Sequence, residues 1–295
     1  MLFKFNKPIA PSELIINSDG SVFHLHLKPE ELADDVILVG DPGRVELVAS
    51  FFDSTEFRRE SREFVTITGR YNNKRITVLS TGIGTDNIDI VVNELDALAN
   101  IDFATRLIKE EKKSLRLLRL GTSGAIQPDI PLGSFVFSNI SIGFDGLLNW
   151  YQRRDEVSLL DYEKSFVEST GWLNELPAPY FVRAHQSLVD LFSDSTIKGM
   201  TMSASGFYGP QGRVLRLPLA MPDMVSQFEK FSFNGDRITN FEMESSALAG
   251  LSILLGHKGA TICCIIANRH LHESQPDYKP YIKKLIEMAL NKLTK

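Results

Sequence analysis

Residues 36–52 read VILVGDPGRVELVASFF, and this stretch decides the fold class. It opens on an apolar, β-branched run, the pattern of a strand covered on both faces, and the expected strand spans 36–40. Asp41-Pro42-Gly43 ends it, since proline has no N–H for a sheet ladder. From 44 to 52, Val45, Val48, Phe51 and Phe52 recur at helical spacing. A buried strand, a tight turn and an amphipathic helix in direct succession are the unit of an α/β protein.

The same alternation continues outward. Strands are expected at 64–68 and 75–81, paired through a turn at Asn72-Asn73, and at 115–121, 133–141, 198–203 and 260–268. Helices are expected at 88–107, where Val91, Leu95, Leu98 and Phe103 share a face, and at 240–255 and 281–293. The pattern predicts one mostly parallel sheet covered on its faces, a single domain over 1–295 with 1–17 as an N-terminal extension. Residues 147–179 mix Trp, Tyr, charge and Pro with weak periodicity and read as an insertion from the core sheet.

A net charge of -5 argues against a nucleic-acid backbone or an anionic membrane surface as partner. Cys263 and Cys264 are adjacent in an apolar run, so they read as small buried hydrophobes and build no disulfide framework. No window approaches the roughly 20 apolar residues of a membrane span, and no signal peptide is evident, so a cytoplasmic enzyme is expected. His24/His26 and His270/His272 each form H-x-H, but no further ligands complete a metal site, so no metal is expected.

Five loops carry the candidate chemistry. Gly40-Asp41-Pro42-Gly43-Arg44 opens a helix, where backbone N–H groups and an arginine suit an anion; a plain strand–helix turn has the same composition. The turn Thr81-Gly82-Ile83-Gly84-Thr85 allows close backbone approach or simply a sharp bend. Arg119 lies within the apolar strand LRLLRLGTSGA, a costly place for a charge unless it serves an anion or a partner, and the Thr122 and Ser123 hydroxyls follow it. Glu242, Met243 and Glu244 either enrich a helix first turn in acid or grip a diol with carboxylates over a thioether. Phe207, Gln211 and Arg213 in GFYGPQGR suit a planar ring with amide-like edges, although an ordinary loop has similar composition.

Eight motifs in order, SDGSVFHLHL, VGDPGRV, SREF, STGIG, LRLGTSGAIQP, GFYGPQGR, FEMES and IIANR, run from Ser18 towards the C-terminus. Together they resemble the pyrimidine branch of the nucleoside phosphorylase family. The resemblance implies a single α/β domain with a mixed, partly barrel-like sheet flanked by helices, assembled as dimers that usually build a hexamer. It implies phosphorolysis of uridine to uracil and ribose 1-phosphate. Gly40, Arg44, Arg119 and Thr122 would hold phosphate, with Arg62 from a neighbouring subunit. Met243, Glu244 and the adjacent Glu242 would hold ribose, with a neighbour's His24 at the 5′-hydroxyl. Phe207, Gln211 and Arg213 would recognise uracil, with Arg269 near its O4 edge. Arg119, Arg213 and Glu244 would carry the catalysis.

The chain departs from the family pattern in places. Thr85-Asp86-Asn87 replaces the usual small residues after STGIG, and the base loop has Gly-Pro and Gly212 where Pro-Gly and an acid are familiar. Some relatives hold a monovalent cation with a Glu, a carbonyl and a Ser; here Glu63 and Ile83 match and Asn87 stands for the Ser. No cofactor is therefore expected, with potassium left open and inorganic phosphate a substrate. A purine nucleoside phosphorylase, a nucleosidase of the same family and a non-catalytic nucleoside-binding protein are the alternatives.

Overall fold

The computed structural model describes residues 7–295; residues 1–6 of the expected extension lie outside the described residues. Strand β1 (Asp35–Val39) leads into helix α1 (Pro42–Ala49), with Pro42 in the first turn and the Asp41 side chain accepting from the Gly43 N–H at 2.9 Å. Strands β2 (Ser54–Ser61), β3 (Phe64–Tyr71) and β4 (Lys74–Ser80) follow as antiparallel neighbours. The turn between β3 and β4 uses Asn72 and Asn73 at φ 50° and 61°, the left-handed pair that a tight hairpin needs.

Helix α2 (Thr85–Asn100) is shorter than the expected 88–107. Asn100 ends it, because its side chain bonds across to the backbone of Lys113 and draws the chain into the small pair β5 (Ile101–Asp102) and β6 (Leu107–Ile108). Strands β7 (Arg116–Ala125) and β8 (Phe135–Gly143) come next. Across 147–179 the chain forms α3 (Arg154–Val157) and α4 (Leu160–Thr170) before β9 (Tyr180–Arg183), α5 (Gln186–Phe192) and β10 (Ile197–Ser203). Phe166 of α4 and Trp172 after it pack on Phe144 and Phe228, which anchors this stretch to the main body.

The last third holds α6 (Met224–Lys230), β11 (Ser232–Phe233), β12 (Asp236–Glu242), α7 (Ser245–Leu255), β13 (Lys258–Asn268), β14 (Glu273–Ser274) and α8 (Lys279–Leu293). The expected helix at 240–255 is thus a strand ending at Glu242 and a helix starting at Ser245. Its first residues are held in the sheet by a polar interior: Asn240 donates to Ser123 at 2.9 Å and accepts from Thr201, which accepts from Ser138. Those bonds satisfy buried side chains that apolar periodicity cannot register.

The sheet is mixed rather than mostly parallel. β1, β4, β7 and β13 run parallel, while β8 meets β13, and β12 meets β7, in the antiparallel sense. β7, β13, β8, β10 and β12 close on themselves as a five-stranded barrel within the larger sheet. Helices cover both faces, with α1, α5 and α8 on one core and α2 and α7 on another.

Candidate active site

A cavity of about 620 Å³ opens where β1, β4, β7, β12 and β13 end, the carboxyl edge at which open α/β sheets collect ligands. Gly40, Arg44, Arg119, Thr122, Phe207, Gln211, Arg213, Glu242, Met243 and Glu244 all line it, so ten of the sequence candidates converge on one space. A second cavity of about 690 Å³ lies on the other side of the base loop, with a mainly apolar lining from Phe144 and Trp172 to Leu217 and Met221. The convergent charges are in the first.

At one end of the cavity two arginines approach each other. Arg119 is buried in the middle of β7, and Arg44 enters from α1, donating to the Leu120 carbonyl at 3.3 Å. Burial, and then the charge of Arg119, pulls the Arg44 guanidinium below its ordinary pKa. Nε of Arg119 is buried without a hydrogen-bond partner among the described residues. Two crowded cations with a spare donor, beside the Gly40 and Gly82 backbone, form a ready site for a polyanion. Gly121, the same-face neighbour of Arg119 two residues on, leaves room for the guanidinium as it lies here: a Cβ there would sit 2.3 Å from Arg119 Nη1.

The two glutamates do different jobs. Glu242 accepts from Ser203 Oγ at 2.5 Å, Ser245 Oγ at 2.7 Å and the N–H groups of Glu244 and Ser245 at 2.9 Å. It therefore ties down the start of α7, the acid-at-a-helix-start reading, rather than presenting free oxygens to a sugar. Glu244 faces the cavity, accepting from the Gly84 N–H at 2.8 Å and from Arg119 Nη2. Burial raises the Glu244 pKa despite the attraction of Arg119. Burial opposes the Arg119 charge in turn, but Glu244 and Glu242 outweigh it and hold that guanidinium above its ordinary pKa. We take the cluster as a charged arginine shared by two carboxylates. The anchors expected for phosphate and for ribose thus bond directly to each other.

At the far end the base loop turns on itself. Arg213 lies over the Phe207 ring, 3.9 Å from its centroid, and donates to Phe207 O at 2.7 Å and Gln211 Oε1 at 2.5 Å. Gln211 is buried and keeps its amide N–H groups available, whereas Phe207 is half exposed. Arg269 does not line the cavity; it bonds to the carbonyls of Gln211 and Gly212 and braces the loop from behind. Burial, and then the charge of Arg213, pulls Arg269 down to about 10.

Residues 34–291 match the Phosphorylase superfamily. The chain belongs to that superfamily. It is 30% identical to a uridine phosphorylase of Thermococcus kodakarensis, over 86% of this chain and 80% of the relative, and 29% identical to the uridine phosphorylase of Escherichia coli, over 87% and 89%. A crystal structure of a Trypanosoma brucei nucleoside phosphorylase, described as showing uridine phosphorylase activity, superposes with a TM-score of 0.87 at 30% identity, covering 95% of this chain and 99% of that one.

His24 and Arg62, the two residues expected to serve a neighbouring subunit, are not among those lining this chain's own cavity. His24 pairs with Glu94 on α2, and Arg62, at φ 55°, lies 5.8 Å from the Phe23 ring centroid. Glu63 accepts from the Asn87 amide at 3.2 Å through one of its two carboxylate oxygens. Among the described residues no three His, Cys, Asp or Glu side chains are grouped for a metal. Sequence reasoning missed Ser203, Ser245 and Gly121. Only Gly121 left a signal, the need for a small residue two places from an in-strand arginine.

Proposed function

We propose that this superfamily member cleaves uridine with inorganic phosphate, releasing uracil and ribose 1-phosphate. The observation that carries the reading is one cavity with two crowded arginines at one end, a diol-sized acid in the middle and a Gln–Arg pair at the other. Gly40, Arg44, Arg119 and Thr122 hold the phosphate. Glu244, held by Arg119 and the Gly84 N–H, accepts from the ribose 2′- and 3′-hydroxyls beside Met243 with its remaining lone pairs. A phosphate oxygen then bonds to C1′ while the C1′–N1 bond breaks, with its electron pair leaving on uracil. Gln211 and Arg213 stabilise that anion, the preorganised electrostatic term that dominates most enzyme rate enhancements. Glu244 places negative charge near the developing oxocarbenium ion, so it helps most in the transition state. No side-chain nucleophile and no cofactor are needed.

His24 and Arg62 serve the cavity of a second copy, Arg62 at the phosphate and His24 at the 5′-hydroxyl, with a two-fold dimer as the minimal active unit within a larger oligomer. Neither is among the residues that line this chain's own cavity, which supports that arrangement. A soluble cytoplasmic salvage enzyme is the setting that fits, and no helix among the described residues is long and apolar enough to cross a membrane.

The test is uracil release from uridine with and without phosphate, against inosine as competing substrate. Phosphate dependence and a preference for uridine are expected. Undiminished release without phosphate replaces phosphorolysis with hydrolysis, and equal cleavage of inosine removes the pyrimidine assignment. For the shared site, mixing inactive Arg62→Ala and Glu244→Ala subunits should restore activity, since a mixed dimer keeps one intact site. Confirmed exchange without recovery overturns the sharing.

A further inference from the structure

The two residues that stand apart from this chain's own cavity form one patch. The Phe23 ring meets the His24 ring edge-on, with centroids 4.8 Å apart at 77°, and the Arg62 guanidinium lies 5.8 Å from the same Phe23 centroid. Phe23 is therefore the spacer between the two side chains offered to a second copy. What fixes the patch to the rest of the molecule is a carboxylate that no part of the proposed chemistry uses.

That carboxylate is Glu94, in the second half of α2. Its Oε1 lies 2.6 Å from His24 Nδ1 and accepts from the His24 N–H at 3.0 Å, while Oε2 accepts from the Leu25 N–H at 2.9 Å. The side chain of Glu94 is 12% exposed and that of His24 30%, so the carboxylate is sheltered and the ring's far edge is open. Among the described residues Glu94 pairs with no other cation. The two backbone bonds hold a tight loop, in which Val22 N–H reaches Leu27 O and His26 takes φ 52°. Stapling the loop explains those two bonds. It does not explain the third, from the ring itself.

We infer that Glu94 is a positioning residue for catalysis, acting through His24 to orient its ring and fix its tautomer for the 5′-hydroxyl of a nucleoside bound in the neighbouring subunit. The inference rests on the proposed function and on the shared site. A carboxylate acceptor at Nδ1 keeps the ring proton on that nitrogen, and the partner of one ring nitrogen decides what the other can do. In the neutral ring Nε2 is then an acceptor, which suits a hydroxyl donor. Helix α2 thereby does two things. The Gly84 N–H just before its first turn holds Glu244 at this chain's own cavity, and its later turns hold the patch offered to a second copy.

Glu94→Gln tests this. A glutamine can still accept a backbone N–H, but its amide can also donate to Nδ1 and put the proton on Nε2, the wrong side for a hydroxyl donor. The readout is kcat/KM for uridine against 5′-deoxyuridine, which has no 5′-hydroxyl to bind. Expected is a loss of about tenfold on uridine, the scale of one hydrogen bond, with the 5′-deoxyuridine value unchanged. In a His24→Ala background, Glu94→Gln should add no further loss. Equal losses on both substrates, or a loss that persists without His24, make Glu94 a structural staple and overturn the inference. If Glu94→Gln does not fold, Glu94→Asp is read by the same ratio, and a ratio at the wild-type value also overturns it. A wild-type enzyme that releases no uracil from uridine defeats the proposed function instead, so the two failures are distinct.

Discussion

The two ends of the cavity are built in different ways. At the phosphate end the charged groups arise inside the sheet: Arg119 within β7 and Glu244 directly after β12, both buried and paired with each other. At the base end the groups sit on a loop whose continuation is exposed, with Phe207, Tyr208, Leu215 and Leu217 each more than half open to solvent. The contrast separates two requirements. Binding an anion and a sugar needs charges held still in low dielectric, where rearrangement is costly. Recognising a base needs a surface that closes over a planar ring, and loops carried on a rigid scaffold supply such surfaces.

Arg119→Ala is the strongest way to break the comparison. Removing it takes away a phosphate donor and leaves Glu242 and Glu244 as buried carboxylates without their cation, so turnover should fall roughly a hundredfold or more. Steady-state kinetics on a folded mutant decides the matter, and near-normal activity would place phosphate elsewhere. Gly121→Ala should act on the same end more weakly. Its new Cβ must displace the Arg119 guanidinium, so about a tenfold loss of kcat and a lower Tm are expected, the cost of overpacking being about 1–3 kcal/mol. Unchanged kcat and Tm would mean the arginine has room that the geometry denies.

Arg269→Ala probes the other end and should have the smallest effect. It removes two braces behind Gln211 and Gly212 from a loop that is already open, so KM for uridine should rise a few-fold, roughly one lost hydrogen bond, with kcat nearly kept. A large fall in kcat instead would show that the base end is as rigid as the phosphate end.

The same contrast explains what the sequence discloses. Arg119 is legible because a charge in an apolar strand is an anomaly, and the GDPGR turn because Pro and Gly punctuate the chain. The strand Asp236–Glu242 is not legible. Asn240 and Thr239 look unfit for a buried strand until Ser123, Thr201 and Met200, distant in sequence, arrive to bond them. The separate duties of Glu242 and Glu244 are hidden for a like reason, since the partners that occupy Glu242 include Ser203 on another strand. Glu94 leaves no sequence trace, being one acid among many on an amphipathic helix.

Gly121 also constrains the descent of this site. Replacing Arg119 with a smaller residue relieves the crowding, after which position 121 is free to acquire a side chain. Once it has, a return to arginine at 119 meets a Cβ 2.3 Å from the place its guanidinium occupies here. The step out of this anion site is thus easier than the step back, which must find the guanidinium another place or restore the glycine first.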